Sequence, residues 1–370
     1  MFSRRKTFGG IGRAATNAVA ERSVRRWIFR ASKGLPRPLC LLCGQTEPQR
    51  GSVHQLWEPV RLHAKVFGSY FTLKILPNLR IQKISALDLP ELAPYRSLKR
   101  SAEHAKLGIF VVEGDKVLHR LLASEFTVVS VLLLESRLAE FEPKLRARTE
   151  KDIAVFTCAR AVMDELVGFE IYQGVLALGK IPGLRSLETI LAASPRPHFF
   201  AAMDGLSNAE NIGVLMRNCV AFGVQALIAG ETCSSPFLRR SVRNSMGAVF
   251  KLPVLELSHR RDEFHESQTQ NPLGTRPSET LAQTLRELRA RGVRCIAAHP
   301  HTDKKVLSQA DFTGDCCVVF GSEGHGISQE VLAACDEAVA IPMANDVDSL
   351  NVSAAAAVFL YEVNRQRNGI

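Results

Sequence analysis

From residue 108 onward, apolar blocks of four to eight residues alternate with longer runs in which apolar side chains recur every three or four positions. The short blocks read as strands: Gly108–Val112, Thr127–Leu134, Ile153–Thr157 and Gly174–Leu178. The longer runs predict helices over Asp115–Ser124, Arg137–Arg148 and Ala159–Val167, after a helix-bearing entry segment from Asp88 to Lys106. This βαβα order predicts a small α/β domain over residues 82–180. Ile181, Pro182 and Gly183 punctuate a linker running to 197.

A second alternation follows. Strands are predicted at His198–Met203, Ala226–Ala229, Phe250–Val254, Cys295–Ala298, Cys317–Phe320 and Ala338–Ile341. Helical periodicity marks Asn211–Ala221, Leu281–Arg291 and Gln329–Ala334. Such continuously apolar strands predict a mostly parallel sheet with helices on both faces, over residues 198–370. The polar, Pro- and Gly-containing stretch 258–279 interrupts it as an inserted surface loop. At the end, DVDSLNVSAAAAVFLYEV places five polar residues in the eight from Asp346 to Ser353, directly ahead of an apolar helical run.

Composition changes this picture little. The 370 residues are 46% hydrophobic and 23% charged, ordinary for a soluble protein with a sizeable core and more than one domain. No run of 18 apolar residues offers a transmembrane helix, so no membrane association is expected. Charge changes it more. The net charge of +10 suggests nucleic acid, yet residues 1–80 alone hold 15 Lys+Arg against 3 Asp+Glu, leaving the remainder at −2. A nucleic-acid contact beyond residue 80 therefore needs a local patch. The first 33 residues carry nine basic groups and one acidic group, the composition of an organelle transit peptide or of a basic RNA-binding arm. Residues 1–81 are expected to be a poorly ordered basic extension. Nine scattered cysteines fit free thiols in a reducing compartment, hence the cytoplasm, with an organelle as the alternative. Cys40 and Cys43 form a CxxC with His54 and His63 downstream, but this spacing matches no strong zinc pattern, and no metal is expected.

Three polar clusters fall at the carboxyl ends of predicted strands, where open α/β sheets bind ligands. In DGLSNAENIGVLMRNC, Asn211 can cap a helix, Gly213 allows close backbone approach and Arg217 follows four residues on. In FGSEGHGIS, three glycines surround Glu323, without the GxGxxG of a dinucleotide fold or the GK[ST] of a phosphate loop. In IPMANDVDSLNVSAAAA, Ile341 to Met343 leave a strand, and Ser349 and Asn351 precede the next helix. Taken singly, each reads about as well as a capped helix or a glycine turn. Together they supply Arg and Glu to position or deprotonate a hydroxyl, and Asn and Ser to hold a polar ligand.

At these clusters the chain resembles the SpoU (TrmH-like) branch of the SPOUT RNA methyltransferases. NxGxxxR is matched by Asn211, Gly213 and Arg217, the GxExxG-type loop by Gly321, Glu323 and Gly326, and IPM…SLNVS by Ile341–Met343 and Ser349–Ser353. The match is ordered, spans about 198–366, and departs from the family at Asn345, where many members carry glycine. Residues 82–180 are similar to the small substrate-binding domain of many members. The resemblance implies transfer of a methyl group from S-adenosylmethionine to a ribose 2′-hydroxyl of RNA, ribosomal RNA before transfer RNA. It further implies a deep trefoil knot, an exception to the rule against knots, and a homodimer with active sites at its interface. Gly321, Ile341, Met343 and Leu350 are implied as cofactor contacts. Arg217 is implied as the group that helps deprotonate the hydroxyl, supported by Asn211, Glu323, Ser349 and Asn351. A non-catalytic RNA-binding factor on the same fold is the competing expectation. A nicotinamide enzyme fails for want of the glycine fingerprint and its acidic ribose partner.

Overall fold

The computed structural model describes residues 60–66, 69–76, 79–85, 87–169, 171, 173–257, 280–300, 305–345 and 347–369, the first two segments as backbone alone. The basic N-terminal stretch with Cys40, Cys43 and His54, and the loop at 258–279, lie outside the described residues.

Strands β1 (Val60–Val66), β2 (Ser69–Leu76), β3 (Leu79–Lys83), β4 (Ile109–Glu113), β5 (Val128–Leu134), β6 (Ile153–Cys158) and β7 (Val175–Lys180) form one seven-stranded sheet. Its order is β1-β2-β3-β6-β5-β7-β4. β3, β6 and β5 run parallel, while β7 is antiparallel to both β5 and β4. This sheet begins upstream of the boundary expected at residue 82. Leu79 and Ile81 are buried on β3, whose ladder continues β6 outward. The alternating LRIQK run is too short for its period to stand out from the basic stretch before it. Helices α1 (Ala93–Arg96), α2 (Ser101–Lys106), α3 (Asp115–Leu122), α4 (Leu138–Arg146) and α5 (Arg160–Val167) cover this sheet. Within the expected linker, α6 (Leu187–Ala193) forms, because the Ser186 hydroxyl caps it by accepting the Thr189 N–H at 3.1 Å.

The second sheet holds β8 (Phe199–Asp204), β9 (Ala226–Ala229), β10 (Val254–Glu256), β11 (Arg294–Ala298), β12 (Cys316–Gly321) and β13 (Glu337–Val339). Its order is β10-β9-β8-β12-β11-β13 and every pairing is parallel. Helices α7 (Ala209–Ala221), α8 (Arg239–Asn244), α9 (Leu281–Ala290), α10 (Gln329–Ala334) and α11 (Val352–Asn368) accompany it. Side chains alternate between its faces. Phe199, Ala201 and Met203 join a core with Ile212 and Met216 of α7 and Phe359 and Leu360 of α11. Phe200 and Ala202 join the opposite core with Leu281 and Leu285 of α9 and Val331 of α10. Burying one such Phe or Leu side chain contributes about 1.5–3 kcal/mol, so both layers hold firmly.

The strand expected over Phe250–Val254 starts only at Val254. Ala248–Phe250 forms a 3₁₀ turn instead, entered from Gly247 at φ +79°, and Pro253 has no N–H to give a ladder. Phe250 still reaches the core, where its ring lies 5.7 Å from that of Phe110 on β4. Short apolar runs do not by themselves distinguish strand from buried helical turn. Strand order reverses between β8 and β12, so the crevice above their carboxyl ends is the place where such a sheet takes a ligand.

Candidate active site

Three chain segments meet above that crevice. After β12 the chain closes a tight loop: Ser322 and Gly326 exchange two backbone hydrogen bonds of 2.9 Å. Gly326 has φ +68°, and a Cβ on Gly321 would lie 2.2 Å from the Gly326 carbonyl carbon. Only glycine satisfies both conditions. The Asp204 carboxylate at the end of β8 anchors the loop's exit, accepting the Ser328 N–H at 2.7 Å.

The loop presents Glu323 to two carboxamides. Asn211 Nδ2 donates to Glu323 Oε1 at 2.7 Å, and Asn351 Nδ2 donates to the same oxygen. Asn351 Nδ2 also reaches Asn211 Oδ1 at 3.2 Å. Each of the three sequence clusters thus contributes one member of a closed ring. Asn351 serves twice, since its Oδ1 also caps α11 by accepting the Ser353 N–H at 2.9 Å. The polar surplus ahead of that apolar helix is therefore one cap and one site in the same residue. Ser353, buried, donates through Oγ to the Asn211 carbonyl at 3.1 Å, and its own carbonyl accepts Asn218 Nδ2 at 2.8 Å.

Beside the ring lies a cavity of about 280 Å³, just below the usual small-molecule range of roughly 300–1,000 Å³. Gly321, Glu323, Ile341, Met343, Ser349 and Leu350 all line it. Phe320, Val339 and Phe359 add apolar wall. The wall also takes in Ala298 at the end of β11 and His299 and Pro300 beyond it, of which the sequence pattern singled out none as a site residue. The only signal there was its position past a predicted strand end.

Two expectations shift. The cap of α7 is Asn208, whose Oδ1 accepts the Glu210 N–H at 2.9 Å, so Asn211 lies inside the helix with its amide free for the ring. Gly213 lets α7 approach α8 closely: a Cβ there would sit 2.6 Å from the Ser241 carbonyl oxygen. Its close approach is therefore to protein. Arg217 stands apart. It is exposed, lines no part of the cavity, and has no hydrogen bond or ion pair among the described residues.

Four of the described cysteines are poor nucleophiles. Burial pushes the Cys158, Cys233 and Cys316 thiols up to about 11 and Cys335 up to about 12, leaving scarcely any thiolate at neutral pH. Among the described residues no group of three His, Cys, Asp or Glu side chains could hold a metal ion.

Residues 198–276 and 270–361 match the model of the SpoU rRNA Methylase family. The chain carries a SpoU methylase domain. That SpoU domain contains all nine candidate residues. Over 300 residues the chain is 29% identical to an uncharacterized tRNA/rRNA methyltransferase of Mycobacterium tuberculosis, covering 79% of this chain and 94% of that protein. It is also 29% identical to the 23S rRNA (guanosine-2′-O-)-methyltransferase RlmB of Shewanella oneidensis, covering 65% of this chain and 90% of RlmB. The fold matches the SpoU methyltransferase AviRb of Streptomyces viridochromogenes, solved with the cofactor AdoMet, at a TM-score of 0.61 and 22% identity. That match covers 76% of this chain and 100% of AviRb. No helix among the described residues is long and apolar enough to cross a membrane.

Proposed function

We propose that this chain transfers the methyl group of S-adenosylmethionine to a ribose 2′-hydroxyl of RNA, ribosomal RNA before transfer RNA. The observation that carries this is Glu323, a carboxylate held at the cavity's rim by two neutral amides, with no ion pair to a cation among the described residues. Its charge stays uncompensated beside apolar walls, a setting suited to a cationic sulfonium next to a flat purine. Gly321, Ile341, Met343 and Leu350 would hold that group, which supplies an activated methyl on positive sulfur when bound. Ribosomal RNA is favoured because RlmB is named for 23S rRNA. AviRb, on the same fold, is known with AdoMet.

The chain's own residues orient the acceptor. Asn211, Ser349 and Asn351 offer amide and hydroxyl groups at the rim, and holding two reactants in place removes much of the barrier to transfer. Arg217 is the general base of this reading. A guanidinium is protonated at neutral pH, so Arg217 acts as base only by passing one of its own N–H protons to a neighbouring acceptor, an RNA phosphate oxygen in this reading, and then taking the proton of the 2′-hydroxyl. Its separation from the cavity fits a homodimer in which Arg217 serves the partner's site. Val214 and Arg217 on α7, and Val358 and Tyr361 on α11, are exposed on helices that pack together, leaving apolar surface for a second copy. The trefoil knot belongs to the same reading: Ile341, Met343, Ser349 and Leu350 line the cavity, and α11 after them packs against β12. So does a domain division near 82–180 and 198–370. The seven cysteines among the described residues are free thiols, supporting a reducing compartment such as the cytoplasm.

The test is transfer of radiolabelled methyl to unmodified ribosomal and transfer RNA, followed by alkaline hydrolysis. Label in alkali-resistant dinucleotides from one pool, reduced at least ~100-fold in Arg217→Ala, is the expected result. Label in ordinary mononucleotides would mean base methylation and overturn the mechanism. Mixing Arg217→Ala with Glu323→Ala should restore activity that neither variant has alone.

A further inference from the structure

One built surface lies outside the cavity, where α8 meets the first sheet and α7 begins beside it. Glu113, the last residue of β4, binds Arg239 Nη1 through Oε2 and Arg243 Nη1 through Oε1, both at 2.7 Å. The Arg239 guanidinium lies 5.2 Å from the Phe169 ring centre and the Lys99 ammonium 5.5 Å from it, so one aromatic ring packs against two cations. Arg240 is left over. Its side chain is 69% exposed, and its nearest carboxylate, Glu210, is 3.9 Å away and itself 58% exposed. Such a loose surface pair is worth little.

Two adjoining hollows follow these residues. One, of about 390 Å³, is lined by Phe169, Glu210, Arg239, Arg240 and Arg243. The other, of about 240 Å³, is lined by Lys99, Ala209, Arg239 and Arg240. Four cations face two carboxylates here, a local excess on a chain whose residues beyond 80 net −2. The surface also has a direction. Ala209 and Glu210, which line the hollows, immediately precede Asn211 of the ring on α7, so the hollows begin within two residues of it along the chain. The larger cleft lined by Lys180, Arg185 and Lys251 lies instead at the amino end of β10, away from that ring.

We infer that Lys99, Arg240 and Arg243 form a track for the RNA phosphodiester backbone next to the methylated nucleotide, with Glu113 and Phe169 fixing the track's shape. Guanidinium forks suit phosphate oxygens, and a loosely paired, exposed fork such as that of Arg240 can turn to take them. Charged groups of this kind bind any sequence and position the strand, leaving selection of the ribose to the ring. The track rests on the methyltransferase reading above.

The test measures binding of unmodified ribosomal RNA across a salt series, with S-adenosylmethionine binding alongside. Removing one cation that meets a phosphate should lower the slope of log K against log salt by about 1. Arg240→Ala with Lys99→Ala should therefore flatten the slope by about 2, and Arg240→Glu should weaken binding further. Lys251→Ala should leave the slope unchanged, and all variants should bind S-adenosylmethionine as wild type does. Arg240 and Lys99 are exposed, so thermal melting should show these variants folded. An unchanged slope in the double variant, with wild type still methylating RNA, overturns the track and spares the enzyme reading. A wild-type protein that neither binds nor methylates RNA overturns both.

Discussion

Glu113 and Glu323 both lie at the carboxyl edge of a sheet, and their surroundings are opposite. Glu113 ends β4 with its side chain 11% exposed and a guanidinium on each oxygen. Its charge is cancelled, and it ties α8 of the parallel sheet to the mixed one. Glu323 sits in a glycine loop, exposed, held through one oxygen by two amides that orient it without neutralising it. The lesson is that partner charge, more than position on the fold, separates a carboxylate that joins elements from one that can act on a ligand. Topology accounts for the rest. In the parallel sheet all six strands end on one edge, so segments from residues 211, 323 and 351 converge. In the mixed sheet β7 runs against β4 and β5, and their loops separate to opposite edges.

Between the two carboxylates, the larger effect should come from Glu323→Gln. The amide keeps the shape and an acceptor oxygen while removing the charge. Methyl transfer should fall roughly 100-fold, or about 2.7 kcal/mol, with the melting temperature nearly unchanged. A single-turnover assay beside a melting curve separates the two. Transfer within twofold of wild type would show that the charge is not used, and the contrast with Glu113 would collapse.

Glu113→Gln should do the reverse. It leaves two guanidiniums facing each other, one of them on the 18%-exposed Arg239 side chain and the other on the 58%-exposed Arg243. Solvent around Arg243 screens much of the repulsion, so the expected loss is about 1–2 kcal/mol, a few degrees of melting temperature. Catalysis on a saturating RNA should survive. If activity falls as far as in Glu323→Gln at temperatures where the variant is folded, Glu113 does more than join the sheets.

How much of this was legible depends on the distance over which each residue acts. The ring members were visible because each sits in a polar cluster just past an apolar strand. Their mutual contacts follow once all strands of the sheet run one way. Asn208 and Asn211 were harder to assign: both can cap, and a helix start is uncertain by two or three residues from sequence. Gly213 looked like room for a ligand because its true neighbour, Ser241, lies in a helix far along the chain. Arg217 follows Asn211 by six positions, which at roughly 100° per residue turns it well away from the ring. A spacing motif records both residues without showing that they part. The Arg239–Arg243 cluster gave no signal, since its meaning depends on Phe169 and Lys99 in another sheet's shell.

The smallest effect belongs to Asn345, which lies on the segment leading from β13 past the cavity. It has φ +57°, in the left-handed region where glycine rests freely and asparagine is the best tolerated of the others. The departure from the family's glycine therefore keeps the backbone turn. Asn345→Gly should relieve a few tenths of a kcal/mol of strain and return a similar amount in chain entropy, leaving melting and transfer close to wild type. Asn345→Val should differ, because a β-branched side chain at positive φ costs about 1–2 kcal/mol, and the displaced turn would carry Ser349 and Leu350 away from the cavity. S-adenosylmethionine binding should weaken more than RNA binding in that variant. Equal loss of both would mean that the turn supports the whole crevice edge, and that the cavity and the RNA surface are not independent parts of the parallel sheet.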